Sequence, residues 1–129
     1  MPNEINLEQV VAEVKGVFEI YENAFVSNNI ELLDQLFWQS ELVVRFGIDE
    51  NLYGIEEIRK FRKARDTSSL ERRLSNTMIT TFGHDFATTT TEFIRDNLIE
   101  GRQSQTWVRF AFGWRIVSAH VSRTKISPG

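Results

Sequence analysis

Near the start of the chain apolar residues recur at three- and four-residue steps: Leu7, Val10, Val11, Val14, Val17, Phe18, Tyr21 and Phe25. That period predicts an amphipathic helix over residues 7–25. Asn6 stands where it would cap the free backbone donors, Gln9 resembles the second half of a capping box, and Ile5 with Val10 occupies the hydrophobic-staple positions. Asn28 and Asn29 end this helix and cap a second one, whose apolar stripe is Leu32, Leu33, Leu36 and Phe37. Residues 42–47 read as a short strand and 49–54 as a turn. A third helix is expected over 55–65, with Ile55, Ile58 and Phe61 on its buried side.

Beyond residue 66 the pattern changes. Seven threonines fall between Arg73 and Phe93 (Thr77, Thr80, Thr81 and Thr88 to Thr91), and such a β-branched cluster favours strand over helix. Gly83-His84-Asp85 punctuates it as a turn, and Asp96-Asn97 with Gly101 marks the next. The last strands are expected over 102–110 and 114–125, closed by a tight turn at 111–113. Helix, helix, strand, helix and then an antiparallel meander define an α+β domain with its helices on one face of the sheet.

The closing hairpin separates two faces, because directly opposed residues of an antiparallel pair point the same way. With a two-residue turn, one face carries Gln103, Gln105, Trp107, Arg109, Trp114, Ile116, Ser118, His120 and Ser122. The other carries Ser104, Thr106, Val108, Phe110, Val117, Ala119 and Val121. The first mixes tryptophans with amides, an arginine and a histidine, the make-up of a ligand pocket. The second is nearly all apolar in its middle. Three helices cover one side of such a sheet, so the apolar face of Val108, Phe110, Val117, Ala119 and Val121 is expected to be buried by a second copy in a homodimer or a larger ring.

Length and composition narrow the chemistry. The 129 residues, 41% hydrophobic and 26% charged, suit one domain over 1–129 without an internal linker. Both prolines sit at the ends. With no cysteine and only two histidines, thiolate and all-histidine metal sites and a cysteine nucleophile are excluded. A net charge of −3 gives no reason for nucleic-acid binding. No apolar run approaches the ~20 residues of a membrane span, and residues 1–8 lack the regions of a signal peptide. A cytoplasmic protein without cofactor is therefore expected.

Several segments carry a resemblance. Trp107-x-Arg109, Trp114, Val117 and His120-x-Ser122 resemble the closing hairpin of the nuclear transport factor 2-like (SnoaL-like) superfamily. More closely, Val44-Arg45-Phe46-Gly47, Leu52-Tyr53-Gly54, Thr81-Phe82-Gly83, Gly101 to Trp107, Gly113 to Val117 and Ala119-His120-Val121-Ser122 are similar to the AtzH-like family. That likeness runs over nearly the whole chain in the right order. It implies a cystatin-like, cone-shaped α+β barrel, usually dimeric, in which three N-terminal helices pack on a curved antiparallel sheet around a pocket. It also implies an association with the amidases of urea-carboxylate and oxalurate breakdown.

The pocket chemistry follows from the residues. Arg45, Arg62, Arg65 and Arg109 are four guanidinium groups that could converge, and a planar fork suits a carboxylate. Several such charges turned inward call for an anion; the alternative is that Arg62 and Arg65 stay solvated or pair with Glu56, Glu57 and Asp66. Gln103 and Gln105 can read a carboxamide or urea, since an amide both donates and accepts. Gln105 stands where the association domain of calcium/calmodulin-dependent kinase II, a member of the nuclear transport factor 2-like superfamily which this hairpin otherwise resembles, carries a pocket arginine. Trp107 forms a wall, and Tyr53 could lend a hydroxyl at the mouth. His120 and Glu92 are the candidate acid-base groups, with His84 expected in a turn. The expected function is a dimeric pocket protein for a small carboxylated amide or urea derivative, accessory to an amidase pathway. The alternative is a hydrolase or lyase acting on such a compound with His120 or Glu92 as acid or base.

Overall fold

The computed structural model describes residues 4–65, 70–95 and 100–124. The helices α1 (Glu8–Val26) and α2 (Ile30–Leu36) come first, then the short strands β1 (Val44–Phe46) and β2 (Asn51–Tyr53), and then α3 (Ile55–Ala64). Four long strands follow: β3 (Arg72–Phe82), β4 (Phe86–Arg95), β5 (Glu100–Phe110) and β6 (Gly113–Arg123). They form one sheet in the order β2-β1-β6-β5-β4-β3. All pairs are antiparallel except β1 with β6, which run parallel. The result is the expected α+β cone, its three helices on the concave side. The stretch expected to be a turn at 49–54 contains strand β2, too short to leave a periodic signature. The turn expected at Asp96-Asn97 lies outside the described residues.

Helix α1 starts differently from expectation. Leu7 holds the N-cap position without a side-chain cap, and Asn6, in the left-handed region at φ 58°, exchanges bonds with Thr81 instead: its Oδ1 accepts from the Thr81 N–H at 2.8 Å and its own N–H donates to the Thr81 carbonyl. Asn6 therefore pins the chain to β3 rather than capping the helix. Ile5 is exposed and bridges to Phe82, so the staple does not form. The second junction is as expected: Asn28 takes φ 53° and Asn29 Oδ1 accepts from the Leu32 N–H at 3.2 Å.

The core lies between the helices and the inner face of the sheet. Val14, Leu33, Phe37, Val43, Ile58, Ala87, Trp107 and Ile116 are completely buried there. At ~25 cal/mol per Å² of apolar area, this burial is the main favourable term in folding.

The closing hairpin has the expected two-residue turn, with Phe110 opposite Gly113. Its parity does not persist. Thr106 pairs with Ser118 but Trp107 pairs with Ile116, so Val117 is an extra residue, a β-bulge. Past the bulge every side chain of β6 changes face. Ala119 and Val121 point inward and are buried, while Ser118 and His120 point outward and are exposed. This corrects the expected outer face: Val108, Phe110 and Val117 stay there, Ala119 and Val121 do not. Its apolar character comes instead from Met78, Phe82 and Phe86 at the β3–β4 end, and from Val44, Phe46 and Tyr53 at the other.

Candidate functional site

A cavity of ≈ 200 Å³ opens between the C-terminal half of α1, the end of α3 and the wide end of the sheet. Tyr21 and Phe25 of α1 form one wall, Phe61 and Arg65 of α3 another, and Arg72, Arg95, Gln103 and Val121 the sheet floor. Arg45 and the β1–β2 turn residues Ile48, Asp49 and Glu50 form the rim. The volume lies below the ~300–1,000 Å³ of pockets for drug-sized molecules, so it suits a compact ligand.

The floor is built on a glycine. Phe93 lies opposite Gly101 across β4 and β5, and its ring covers the place a side chain at 101 would occupy. With Phe25 it makes an aromatic sandwich around Arg72, whose guanidinium carbon is 4.1 Å from the Phe25 centroid and 4.8 Å from that of Phe93. Arg95 leans on the same two rings. Arg72 donates through Nε and Nη2 to both oxygens of Glu22, at 2.6 and 2.9 Å, a two-pronged pair that fixes its plane.

Other arginines are compensated too. Arg45 stacks on Phe61 and pairs with Glu50 at 3.1 Å. Arg62 stacks on Phe37 and pairs with Asp34 at 2.6 Å, tying α3 to α2. Arg65 differs. It sits over Phe25, reaches Asn28 Oδ1 at 3.4 Å, and its buried Nε has no partner among the described residues. Burial first, then the charge of Arg62, and further Arg45 and Arg95, outweigh the opposing effect of Tyr21 and lower its pKa from the ordinary guanidinium value to about 10. Burial and the Arg72 charge, partly offset by Glu22, likewise lower that of Arg95. At Arg65 the cavity therefore holds a positive charge that no carboxylate among the described residues pairs with.

The structure brings together some of the residues singled out in the sequence and separates others. Arg45, Arg65 and Gln103 line the cavity, with Gln105 buried two residues along the same face of β5. Arg62 is buried behind it in its ion pair. Trp107 is fully buried and donates from Nε1 to Thr89 Oγ1 at 3.2 Å, so it is core wall. Arg109 follows the inward parity but lies beside the N-terminal turns of α1, at the other end of that helix from the cavity. It is exposed at the narrow end and pairs with Asp85 at 2.9 Å, in a separate groove with His84, Glu4 and Glu13. Tyr53 is on the outer face, 57% exposed and edge-on to Phe46.

Neither acid-base candidate reaches the cavity. The bulge turns His120 outward against Phe46, and Glu92 points outward to accept from Asn76 Nδ2 at 2.9 Å. Sequence reasoning missed Arg72, Arg95 and Glu22. A usable signal existed for the arginines, since each alternates with buried apolar neighbours, Leu70 with Arg72 and Phe93 with Arg95. Among the described residues no group of carboxylates and histidines forms a metal site, and no helix is long and apolar enough to cross a membrane.

A family model described as AtzH-like matches residues 3–127. A Pectobacterium atrosepticum protein of unknown function from the DUF3225 family is 52% identical, with a TM-score of 0.94 over 97% of this chain and 98% of that one. A cystatin-like fold protein from Burkholderia xenovorans is 44% identical, with a TM-score of 0.92 over 98% of this chain and 100% of that one. A nuclear transport factor 2-like protein from Salmonella enterica, 21% identical, shares the fold at a TM-score of 0.74 over 93% of this chain and 94% of that one. No curated protein matches.

Proposed function

We propose that this chain, which belongs to the AtzH-like family, binds a small carboxylate-bearing amide or urea derivative in the arginine-lined cavity and serves as an accessory to an amidase pathway in the cytoplasm. The observation that carries the reading is Arg65. It is a cavity guanidinium crowded by like charges, with its pKa lowered to about 10 and a buried N–H without a partner among the described residues. A ligand carboxylate would supply the missing counter-charge and the missing acceptor together. Arg45 at the rim and the amide of Gln103 on the floor give the ligand further donors.

The hydrolase or lyase alternative is weakened by position, because His120 and Glu92 lie on the opposite side of the sheet from the cavity. Calorimetric titration with oxalurate, carboxybiuret and dicarboxyurea, with each compound followed in time, tests the proposal. Saturable binding without loss of the compound is the expected result. Loss above background would make the protein an enzyme, and absence of binding to all three would refute the ligand class. The outer sheet face, with Val108, Phe110 and Val117 beside Met78, Phe82 and Phe86, is proposed as the homodimer contact.

A further inference from the structure

Gln103 and Gln105 are buried amides two residues apart on the inner face of β5. An amide accepts at one end and donates at the other, and its neighbours decide which end faces which way. Arg72 Nη2 lies 3.0 Å from the Gln103 side chain. A guanidinium only donates, so the atom facing it is Oε1; a flipped amide would set two donors against each other. Gln105 is fixed by a relay. Trp107 Nε1–H donates to Thr89 Oγ1, and the Thr89 hydroxyl donates to Gln105 Oε1 at 3.1 Å. Flipping Gln105 would leave that buried hydroxyl hydrogen without an acceptor.

Both carbonyls are therefore engaged, and both amide nitrogens are buried without a partner among the described residues. Of the four buried side-chain atoms in that condition, three are N–H donors: Arg65 Nε, Gln103 Nε2 and Gln105 Nε2. The fourth, Thr81 Oγ1, belongs to a residue paired with Asn6 at the start of the described chain. Arg72 meanwhile is committed through Nε and Nη2, clamped by Glu22 and held between Phe25 and Phe93. Its guanidinium is already paired with a carboxylate, and its remaining hydrogen bond is the one that orients Gln103.

We infer that Gln103 is a specificity-determining residue and Arg72 its positioning residue: Arg72 fixes the amide with its carbonyl engaged, so the floor of the cavity offers ligands a donor and no acceptor. Such a floor receives a carbonyl or carboxylate oxygen and rejects an NH2 group, because two buried donors facing one another both go unsatisfied. This rests on the anion reading of the cavity and adds the polarity required at the ligand's second end.

The test compares malonate with malonamate, which differ by one oxygen replaced by NH2, by calorimetry on the wild type, Gln103→Met and Arg72→Lys. In Gln103→Met the remaining preference for malonate reports its extra charge alone. The wild-type preference is expected to exceed that value by about tenfold, and Arg72→Lys, which keeps the charge but frees the amide to turn, is expected to lose most of the excess. Equal ratios in wild type and Gln103→Met would overturn the specificity role. An undiminished ratio in Arg72→Lys would overturn the positioning role. Either failure leaves the anion reading standing, whereas no binding of either probe to the wild type in the millimolar range would remove both. Should a variant fail to fold, the wild type still decides: the Gln103 side-chain NH2 proton resonances are expected to shift on saturation with malonate, and unmoved resonances would overturn the inference.

Discussion

Arg45 Nη1 and Glu50 Oε1 lie 3.1 Å apart across the turn between β1 and β2, so the rim arginine of the cavity already carries a carboxylate from the chain itself. The contact depends on Gly47, where a side chain would overlap the Glu50 carboxylate as it folds back. The second oxygen, Oε2, accepts from the Asp49 N–H at 3.2 Å, which seats the carboxylate firmly. Glu50 thus stands in for an anionic ligand at Arg45.

Replacing Glu50 by Gln removes that internal competitor. Glu50→Gln is expected to bind malonate about fivefold more tightly, corresponding to about 1 kcal/mol of charge–charge interaction at a partly exposed site. It should also lose about 1–2 kcal/mol of stability, because Arg45 is left buried without its counter-charge. Titration calorimetry and urea unfolding check the two effects. Weaker binding in the variant would mean that Glu50 belongs to the ligand's cradle rather than competing with it.

Arg65 gives the site a pH dependence with a definite sign. Below pH about 10 its guanidinium is protonated in both the folded and the unfolded chain, and burying it opposes folding throughout that range. Above about pH 10 the folded protein releases the proton before the unfolded chain does, and the penalty fades. A bound anion favours the charged form and holds the proton. Malonate affinity is therefore expected to be level from neutral pH upward and to fall above about pH 10, with proton uptake on binding there, measured in buffers of different ionisation enthalpy. Arg65→Met should abolish binding while leaving Tm unchanged or higher, since it removes a poorly compensated charge. A variant that kept its affinity would exclude Arg65 from the site.

The sequence foretold the element order apart from β2, and the inward turn of Gln103 and Gln105, because a long alternating strand leaves little choice of face. It misplaced His120 through a single residue. A two-residue turn sets the hairpin's parity, but the Val117 bulge reverses it halfway along β6. The pattern did hold a trace of this. Trp114 and Ile116 alternate in one phase while Ala119 and Val121 alternate in the other, and the change falls at the doublet Ile116-Val117. Arg109 failed for a different reason: parity gives the face but not the distance along the strand, and Arg109 lies by the start of α1 while the cavity lies by its C-terminal half. The partnership of Arg72 with Glu22 spans 50 residues, a tertiary pairing that no local pattern announces.

The floor of the cavity makes Gly101 irreplaceable on steric grounds. A methyl group at this position would collide with the Phe93 ring that lies over it, and Phe93 cannot retreat without releasing Arg72 and Arg95. Gly101→Ala is expected to cost about 1–3 kcal/mol, the range for overpacking a filled interior, and to weaken malonate binding as well. Urea unfolding measures the first and calorimetry the second. A stable variant with unaltered binding would show that the aromatic sandwich does not position the floor.

The outer face of the sheet predicts the oligomeric state. Phe82 and Phe86 pack edge to face with centroids 6.0 Å apart, and Phe86 and Met78 remain 42% and 64% exposed. Val108 lies opposite Phe86 on one neighbouring strand and opposite Arg115 on the other, and Thr88, Thr90, Ser104 and Thr106 complete the border with hydroxyls. An apolar patch on a sheet face, bordered by hydroxyls that can pair across an interface, suits self-association about a two-fold axis. Light scattering is expected to give twice the chain mass of 15.0 kDa. Phe86→Glu should return the protein to a single-chain mass without loss of helical circular dichroism, because the substituted side chain lies outside the core. A wild-type mass of 15.0 kDa would instead leave this face as solvent-exposed sheet, and a dimer that withstood Phe86→Glu would place the contact elsewhere.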